Sequence, residues 1–309
     1  MMTQVPIILD CDTGVDDAIA IMLLHKLPHF NLLALTSVAG NVELEKTTQN
    51  TIRVLELIGA DIPVYRGAEK PIFRQSVRAA YIHGENGLGG IELPQTRHEV
   101  PGIKAWDFIY QQAVQWQGEL EIIAIGPLTN LGSAFIKYKH LPDLIKRIVI
   151  MGGSATVGNI PPTAELNIYV DPEAADIVFC SGVPVHMCGL DMTMKAYLTA
   201  EEIGQVGSLG NVPAKFFQNV SQGPLNFSLG LGLPGMSMHD PATVLYAHDP
   251  SIFESHPVGI RVETKGLLSA GRTVTDLYSD AQWKNNGYII TDLDREAFFK
   301  QVLALMAQY

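Results

Sequence analysis

Four aspartates, Asp10, Asp12, Asp16 and Asp17, crowd the eight-residue stretch Asp10-Cys11-Asp12-Thr13-Gly14-Val15-Asp16-Asp17. At about 5 Å and an effective dielectric near 20, each like-charged pair costs roughly 3 kcal/mol, so a chain that keeps all four ionised is expected to bind a cation there. Hard oxygen donors favour calcium or magnesium. Helix capping accounts for Asp16 or Asp17, because Asp is a favoured N-cap, but not for all four. Gly14 suits a sharp turn at which the backbone passes close to a ligand.

The elements around this turn must position it. Residues 5–9 form an apolar run that reads as a buried strand, and residues 18–24 read as a helix. The same rhythm continues. Strands are predicted at 31–38, 62–65, 121–125, 147–151 and 183–190, and helices at 44–58, 103–116 and 172–180. Strand–helix alternation over the first 200 residues predicts an α/β fold: one mostly parallel open sheet with helices on both faces, a Rossmann-like core. Ligands of such sheets bind beyond the carboxyl ends of the strands, and the polar clusters at Asp10, Asn41, Gly126 and Gly152 all follow strands. Residues 67–90 break the rhythm as a long polar loop that could act as a lid. From residue 201 the order loosens. Helices are expected at 201–206, 213–221 and 294–307, strands at 258–262, 273–277 and 288–290, and a mobile Gly- and Leu-rich stretch at 223–235. No linker or internal repeat interrupts the chain, so residues 1–309 read as one domain.

Composition narrows the function. With 309 residues, 47% of them hydrophobic, the chain can bury a large core unaided. A formal charge of −11 argues against a nucleic acid or an anionic membrane as partner. Cys11, Cys180 and Cys188 cannot all pair and lack metal-ligand spacing, which suits a reducing compartment. No apolar run approaches about 18 residues and no leader pattern opens the sequence, so a cytoplasmic protein is expected.

Three families of chemistry compete for the aspartate turn. An EF-hand loop counted from Asp10 needs a carboxylate at its twelfth position, where Ile21 stands. A haloacid-dehalogenase-like phosphatase also places Asp-x-Asp after its first strand. It continues with Thr or Val where Gly14 stands, however, and it has no use for Asp16 and Asp17. The third is a resemblance. Asp10-x-Asp12-x-Gly14-x-Asp16-Asp17 resembles the signature of the inosine-uridine preferring nucleoside hydrolases. The similarity continues in the family's order through Val38-Ala39-Gly40-Asn41, Ile82-His83-Gly84-Glu85-Asn86-Gly87, Ile125-Gly126-Pro127-Leu128-Thr129-Asn130, Met151-Gly152-Gly153, Gly158-Asn159, Ala164-Glu165-Leu166-Asn167-Ile168, Asp171-Pro172-Glu173-Ala174-Ala175 and His239-Asp240-Pro241. These blocks span nearly the whole chain, and the set is specific where any one block is weak. The similarity is greatest to the bacterial non-specific ribonucleoside hydrolases.

The resemblance implies calcium-dependent hydrolysis of the N-glycosidic bond of purine or pyrimidine ribonucleosides, giving free base and ribose. It implies a calcium site made by Asp12, Asp17, Asp240 and the main-chain carbonyl of Ile125, an oxygen-only set. Asp12 would act as general base toward the attacking water. Ribose would be held by Asp16, Asn41, Asn159, Glu165 and Asn167 over Met151. His239, with His83 nearby, would help the base leave. A homo-oligomer, dimer or tetramer, is the family's habit. A calcium-dependent nucleoside or sugar sensor that kept the pocket without catalysis is the non-enzymatic alternative. Thr13 stands where many members have Pro, Leu166 replaces a common Phe, and residues 223–235 have Phe227 as their only aromatic. These departures leave hydrolysis intact and the base preference open.

Overall fold

The computed structural model describes residues 4–94, 99–277 and 283–309. Eleven strands organise it: β1 Val5–Cys11, β2 Phe30–Ser37, β3 Val64–Arg66, β4 Leu120–Ala124, β5 Ile145–Met151, β6 Val185–Cys188, β7 Tyr197–Leu198, β8 Met236–Ser237, β9 Phe253–Val262, β10 Thr273–Asp276 and β11 Gly287–Leu293. Nine of them form one sheet in the order β10-β9-β11-β6-β5-β4-β1-β2-β3, while β7 and β8 pair separately. From β3 to β11 neighbouring strands run parallel; β9 is antiparallel to both of its neighbours. The predicted α/β fold with a mostly parallel open sheet is the one observed.

The apolar runs make strands because both sheet faces are covered, so side chains of either parity must be apolar. On β1, Ile7, Leu9 and Cys11 join one core with the helices Val15–His25, His239–His248 and Arg295–Met306. Ile8 points the other way, into a second core with the helices Ala105–Trp116, Thr129–Lys137 and Pro172–Phe179. Strands β4 and β5 divide in the same manner, Ile123 and Val149 to the first core, Ile122 and Ile148 to the second. The helix Val15–His25 is buried over nine of its eleven residues, which explains why its sequence is apolar on nearly every side.

The strand order reverses between β1 and β4: the chain steps outward through β2 and β3 on one side, then through β5 and β6 on the other. Strands diverge at such a switch point, and a crevice opens beyond their carboxyl ends. Asn130 spans this crevice. Its Nδ2 donates to Asp10 Oδ1 at 2.7 Å and to the Ser37 carbonyl at 3.1 Å, and its Oδ1 accepts from the Ala68 N–H at 2.8 Å. Thr36 donates to the same Asp10 oxygen. The ends of β1, β2 and β4 are thus tied through one buried amide.

Two segments differ from expectation. The Gly- and Leu-rich stretch at 223–235 falls largely within a helix, Gln222–Gly230, with Leu225 buried, packed on the short helix Ala80–His83 and on β8. Its two glycines weaken helix propensity, but Pro224 stands in the first turn, where a missing N–H costs nothing, and tertiary packing decides the rest. The loop at 67–90 is interrupted by Ala80–His83 and folds over the crevice. Among the described residues, no helix is long and apolar enough to cross a membrane.

Replacing the bridging amide tests this account. Asn130→Ala leaves the Ser37 carbonyl, the Ala68 N–H and part of the buried Asp10 carboxylate unpaired, so it should lower stability by about 2–4 kcal/mol. The loss should read as a lower urea midpoint at an unchanged slope.

Candidate active site

Asp12 follows the last residue of β1 and is buried at the floor of the crevice. Asn41 N–H donates to its Oδ2 at 2.6 Å, while Oδ1 is buried without a partner. Two motif glycines make room for this carboxylate. A Cβ on Gly40 would lie 2.1 Å from Oδ2, and one on Gly126 would lie 2.7 Å from Oδ1. Asp17 turns back onto the same turn, accepting from the N–H groups of Asp12 at 3.1 Å and Gly14 at 2.9 Å, and from Asn41 Nδ2 at 3.1 Å. Asp240 arrives from the first turn of the helix His239–His248. Ligand-capable oxygens of Asp16, Asp17 and Asp240 lie within 4.8 Å of one another. Asp16, read from sequence as a ribose contact, therefore also stands within reach of the carboxylate cluster.

Burial makes this cluster costly. It drives the Asp12 carboxyl well above the usual range, with the charge of Asp17 adding to it, and it drives Asp240 up likewise, with Asp16 and Asp17 adding. Asp17 rises to about 7, first by burial and then by the charge of Asp16. No lysine or arginine forms an ion pair with any of them among the described residues. An orphaned buried carboxylate oxygen beside two further carboxylates, all hard donors, fits a divalent cation of the calcium or magnesium type. Asp16, Asp17 and Asp240 bring oxygens close enough to hold it, with Asp12 beside them.

Above the cluster opens a cavity of about 220 Å³ lined by Asp16, Asn41, His83, Ile125, Met151, Asn159, Glu165, Asn167, His239 and Asp240. The fold thus gathers these sequence-predicted site residues around one cavity, with Asp12 and Asp17 beneath it. Asn167 is oriented by its amide nitrogen, which donates to the carbonyls of Ile125 at 3.0 Å and Met151 at 3.1 Å and to Met151 Sδ at 3.4 Å. Only its Oδ1 is left for a ligand. Glu165 is the N-cap of the helix Leu166–Val170, and it accepts from Gly153 N–H at 3.0 Å, Asn167 N–H at 2.9 Å and Ile168 N–H at 3.2 Å. Burial still pushes its carboxyl up to about 7. His239 Nδ1 meets the Thr193 hydroxyl at 2.8 Å, and burial lowers the basicity of both His239 and His83.

Sequence reasoning missed the far wall: Ile82, Met194, Pro224, Phe227, Leu231 and Met236. Phe227 and the Gly–Leu composition were the only signals there. Thr193, buried behind His239, carried none.

An acidic cradle fitted to a hard cation, at the switch point of a doubly wound sheet, places the chain among metal-dependent α/β enzymes of small polar substrates. Residues 7–300 match the inosine-uridine preferring nucleoside hydrolases, and the chain belongs to that metal-dependent family of N-ribosyl hydrolases. It is similar to the pyrimidine-specific ribonucleoside hydrolase RihA of Shewanella oneidensis (strain ATCC 700550 / JCM 31522 / CIP 106686 / LMG 19005 / NCIMB 14063 / MR-1), 39% identical over 98% of this chain and 96% of that protein. Among solved structures it is similar to a purine-preferring ribonucleoside hydrolase from Gardnerella vaginalis, with a TM-score of 0.92, 32% identity and 98% of each chain covered. The plant nucleoside hydrolase PpNRh1 gives a TM-score of 0.93 at 29% identity, over 99% of this chain and 100% of that one.

The raised carboxyls set a pH dependence. A carboxyl whose folded-state pKa is raised binds more protons folded than unfolded, so metal-free stability falls as pH climbs from about 4 to about 7. A cation that favours the ionised cluster opposes that fall. Asp10 and Glu165, also pushed to about 7 by burial, contribute the same slope in both forms. The gap in Tm between calcium-loaded and chelated protein should therefore widen from about pH 5 to about pH 7.5 in a thermal scan; a constant gap would place the cation elsewhere.

Proposed function

We propose that this chain is a calcium-dependent ribonucleoside hydrolase with pyrimidine ribonucleosides as its preferred substrates. Asp12 carries the reading. Its Oδ2 is held by Asn41 N–H, and its buried Oδ1 has no partner beside a cavity of nucleoside dimensions, as a general base for an attacking water requires. The preference for pyrimidines is supported by 39% identity to a pyrimidine-specific relative against 32% to a purine-preferring one.

A bound calcium ion supplies neutralising charge to the carboxylates and acidifies water. Asp12, Asp17, Asp240 and the Ile125 carbonyl hold it in this reading. Asp16, Asn41, Asn159, Glu165 and the free Oδ1 of Asn167 bind the ribose hydroxyls over Met151. Fixing the sugar in this way supplies the proximity advantage that a weak nucleophile such as water needs. The transition state carries positive charge on the sugar, and the surrounding carboxylates stabilise it more than they stabilise the neutral ground state. Asp12 takes the proton of the water that attacks the anomeric carbon. His239, whose Nδ1 partner Thr193 can donate or accept, offers a proton to the departing base. Residues 1–309 form one domain in this reading, working in the cytoplasm as a homo-oligomer, dimer or tetramer.

Free-base release from uridine, cytidine, inosine and adenosine, with and without a chelator, tests the reading. Chelation should abolish release, and calcium should restore it. Asp12→Asn should lose at least about a thousandfold in kcat while the protein stays folded; near-normal uridine hydrolysis by that variant would sink the assignment. His239→Ala should slow uridine by about a hundredfold or more and an activated aryl riboside far less. Equal losses on the two substrates would reject the acid role.

A further inference from the structure

The helix Val15–His25 starts on Gly14, which has no side chain to satisfy the orphan N–H groups of the first turn. Asp17 takes the Gly14 N–H. The Val15 N–H instead donates to Nδ1 of His83 at 3.2 Å, a residue 68 positions away in sequence. His83 ends the short helix Ala80–His83, and the chain turns off it at Gly84 with φ of 75°. The ring is closely seated, since a Cβ on Gly14 would lie 2.5 Å from Nδ1. This close approach, rather than an unusual φ, is what requires glycine at position 14. His83 is 8% exposed and lines the cavity with Asp16 and His239.

A main-chain N–H can only donate, so Nδ1 must present its lone pair. A neutral ring then carries its hydrogen on Nε2. A protonated ring would set an Nδ1–H against the Val15 N–H. Nε2 has no protein partner among the described residues, which leaves its hydrogen for whatever fills the cavity. We propose that the Val15 main-chain amide fixes His83 as the neutral Nε2–H tautomer, making His83 a hydrogen-bond donor to an acceptor atom of the leaving base and not its source of protons. The inference rests on the reading that the cavity holds a nucleobase.

The two histidines then divide the work by their Nδ1 partners. His239 faces a hydroxyl, which accommodates either protonation state; His83 faces an amide, which accommodates one. Burial and the neighbouring His239 act in the same direction on His83, and Asp16 acts against them. As the glycosidic bond breaks, its electron pair passes to the base, and an Nε2–H donor stabilises that growing negative charge. His83 itself gains and loses no bond. The ligand class it selects is a base with a carbonyl oxygen or ring-nitrogen lone pair near the glycosidic nitrogen, the arrangement pyrimidines provide with their 2-carbonyl.

The test reads the tautomer directly, by NMR of calcium-loaded, nitrogen-15-histidine-labelled full-length protein from about pH 5.5 to about pH 8. His83→Gln assigns the signals by removing them. Val15 is the first helical residue, where proline is best tolerated, so Val15→Pro deletes the N–H while Val15→Ala trims the side chain and keeps it. Wild type and Val15→Ala should show an untitrating Nε2–H tautomer, and Val15→Pro a titrating or mixed one. An Nδ1–H or protonated His83 in the wild type at neutral pH, or an unchanged spectrum in Val15→Pro, overturns the proposal. In turnover, His83→Gln, which still donates, should keep about tenfold more uridine hydrolysis than His83→Ala; equal loss overturns the donor role. If Val15→Pro does not fold, the wild-type spectrum and the Gln–Ala pair decide. If the wild type releases no base from any nucleoside, the reading of the cavity fails and the donor role with it, while the spectrum still decides the tautomer.

Discussion

The desolvation of carboxylates at the end of β1 is the constraint from which the rest of the architecture follows. Asp12, Asp17 and Asp240 are each at most 3% exposed, and amides rather than cationic side chains face Asp12 and Asp17. Amide donors recover only part of what burial costs a charge. The deficit is structural in origin. Glycine at positions 40 and 126 lets two neighbouring loops close over Asp12, and the burial that results drives its carboxyl up. The same closeness that destabilises the ionised cluster brings hard oxygen donors together in the way a divalent cation requires.

Strand periodicity explains why four neighbouring aspartates do different things. Asp10 shares the parity of Ile8 and faces the second core, where Thr36 and Asn130 take one oxygen. Asp12 lies past the strand end, in the crevice itself. Asp17 is held by the turn it helps to form, through the N–H groups of Asp12 and Gly14. Asp16 is left to face the cavity. A shift of one residue in β1 would exchange Asp10 with a hydrophobic neighbour and undo the arrangement.

Much of this was legible in the chain. Apolar runs of strand length, each ending in a polar cluster, reveal the parallel sheet and its functional edge, because a strand buried on both faces can be little else. The candidate site residues were singled out by the family motifs more than by strand periodicity: Asp12 and Ile125 directly follow strands, Met151 ends one, Asn41 lies in the loop after β2 and Asp240 in the first turn of a helix. What escaped was whatever depends on tertiary packing. The helix Gln222–Gly230 reads as a loop from its glycines, β9 gives no sign that it runs antiparallel, and two-residue strands such as β7 and β8 have no periodicity to detect. The bond from Val15 to His83 spans 68 residues, and its donor is a backbone group, which no side-chain pattern reports.

These two kinds of residue occupy different walls of the cavity. Groups assigned to the ribose and the cation come from strand ends, helix starts and the loops between them, and Asn167 is fixed by its hydrogen bonds to Ile125 and Met151. The opposite wall comes from Ala80–His83 and from residues 222–237, where Phe227 is 44% exposed and Leu231 is 64% exposed. A wall with little hydrogen bonding and much exposed apolar surface tolerates substitution, because few partners are stranded when a side chain changes. In the proposed reading, glycosidic cleavage and base selection therefore rest on separable structures. His83 is the exception, since the segment that brings it to the cavity also caps the helix that carries Asp16 and Asp17. A change that displaced residues 80–83 would disturb the first turn of that helix and reach the carboxylate cluster, whereas a change confined to residues 222–237 would not.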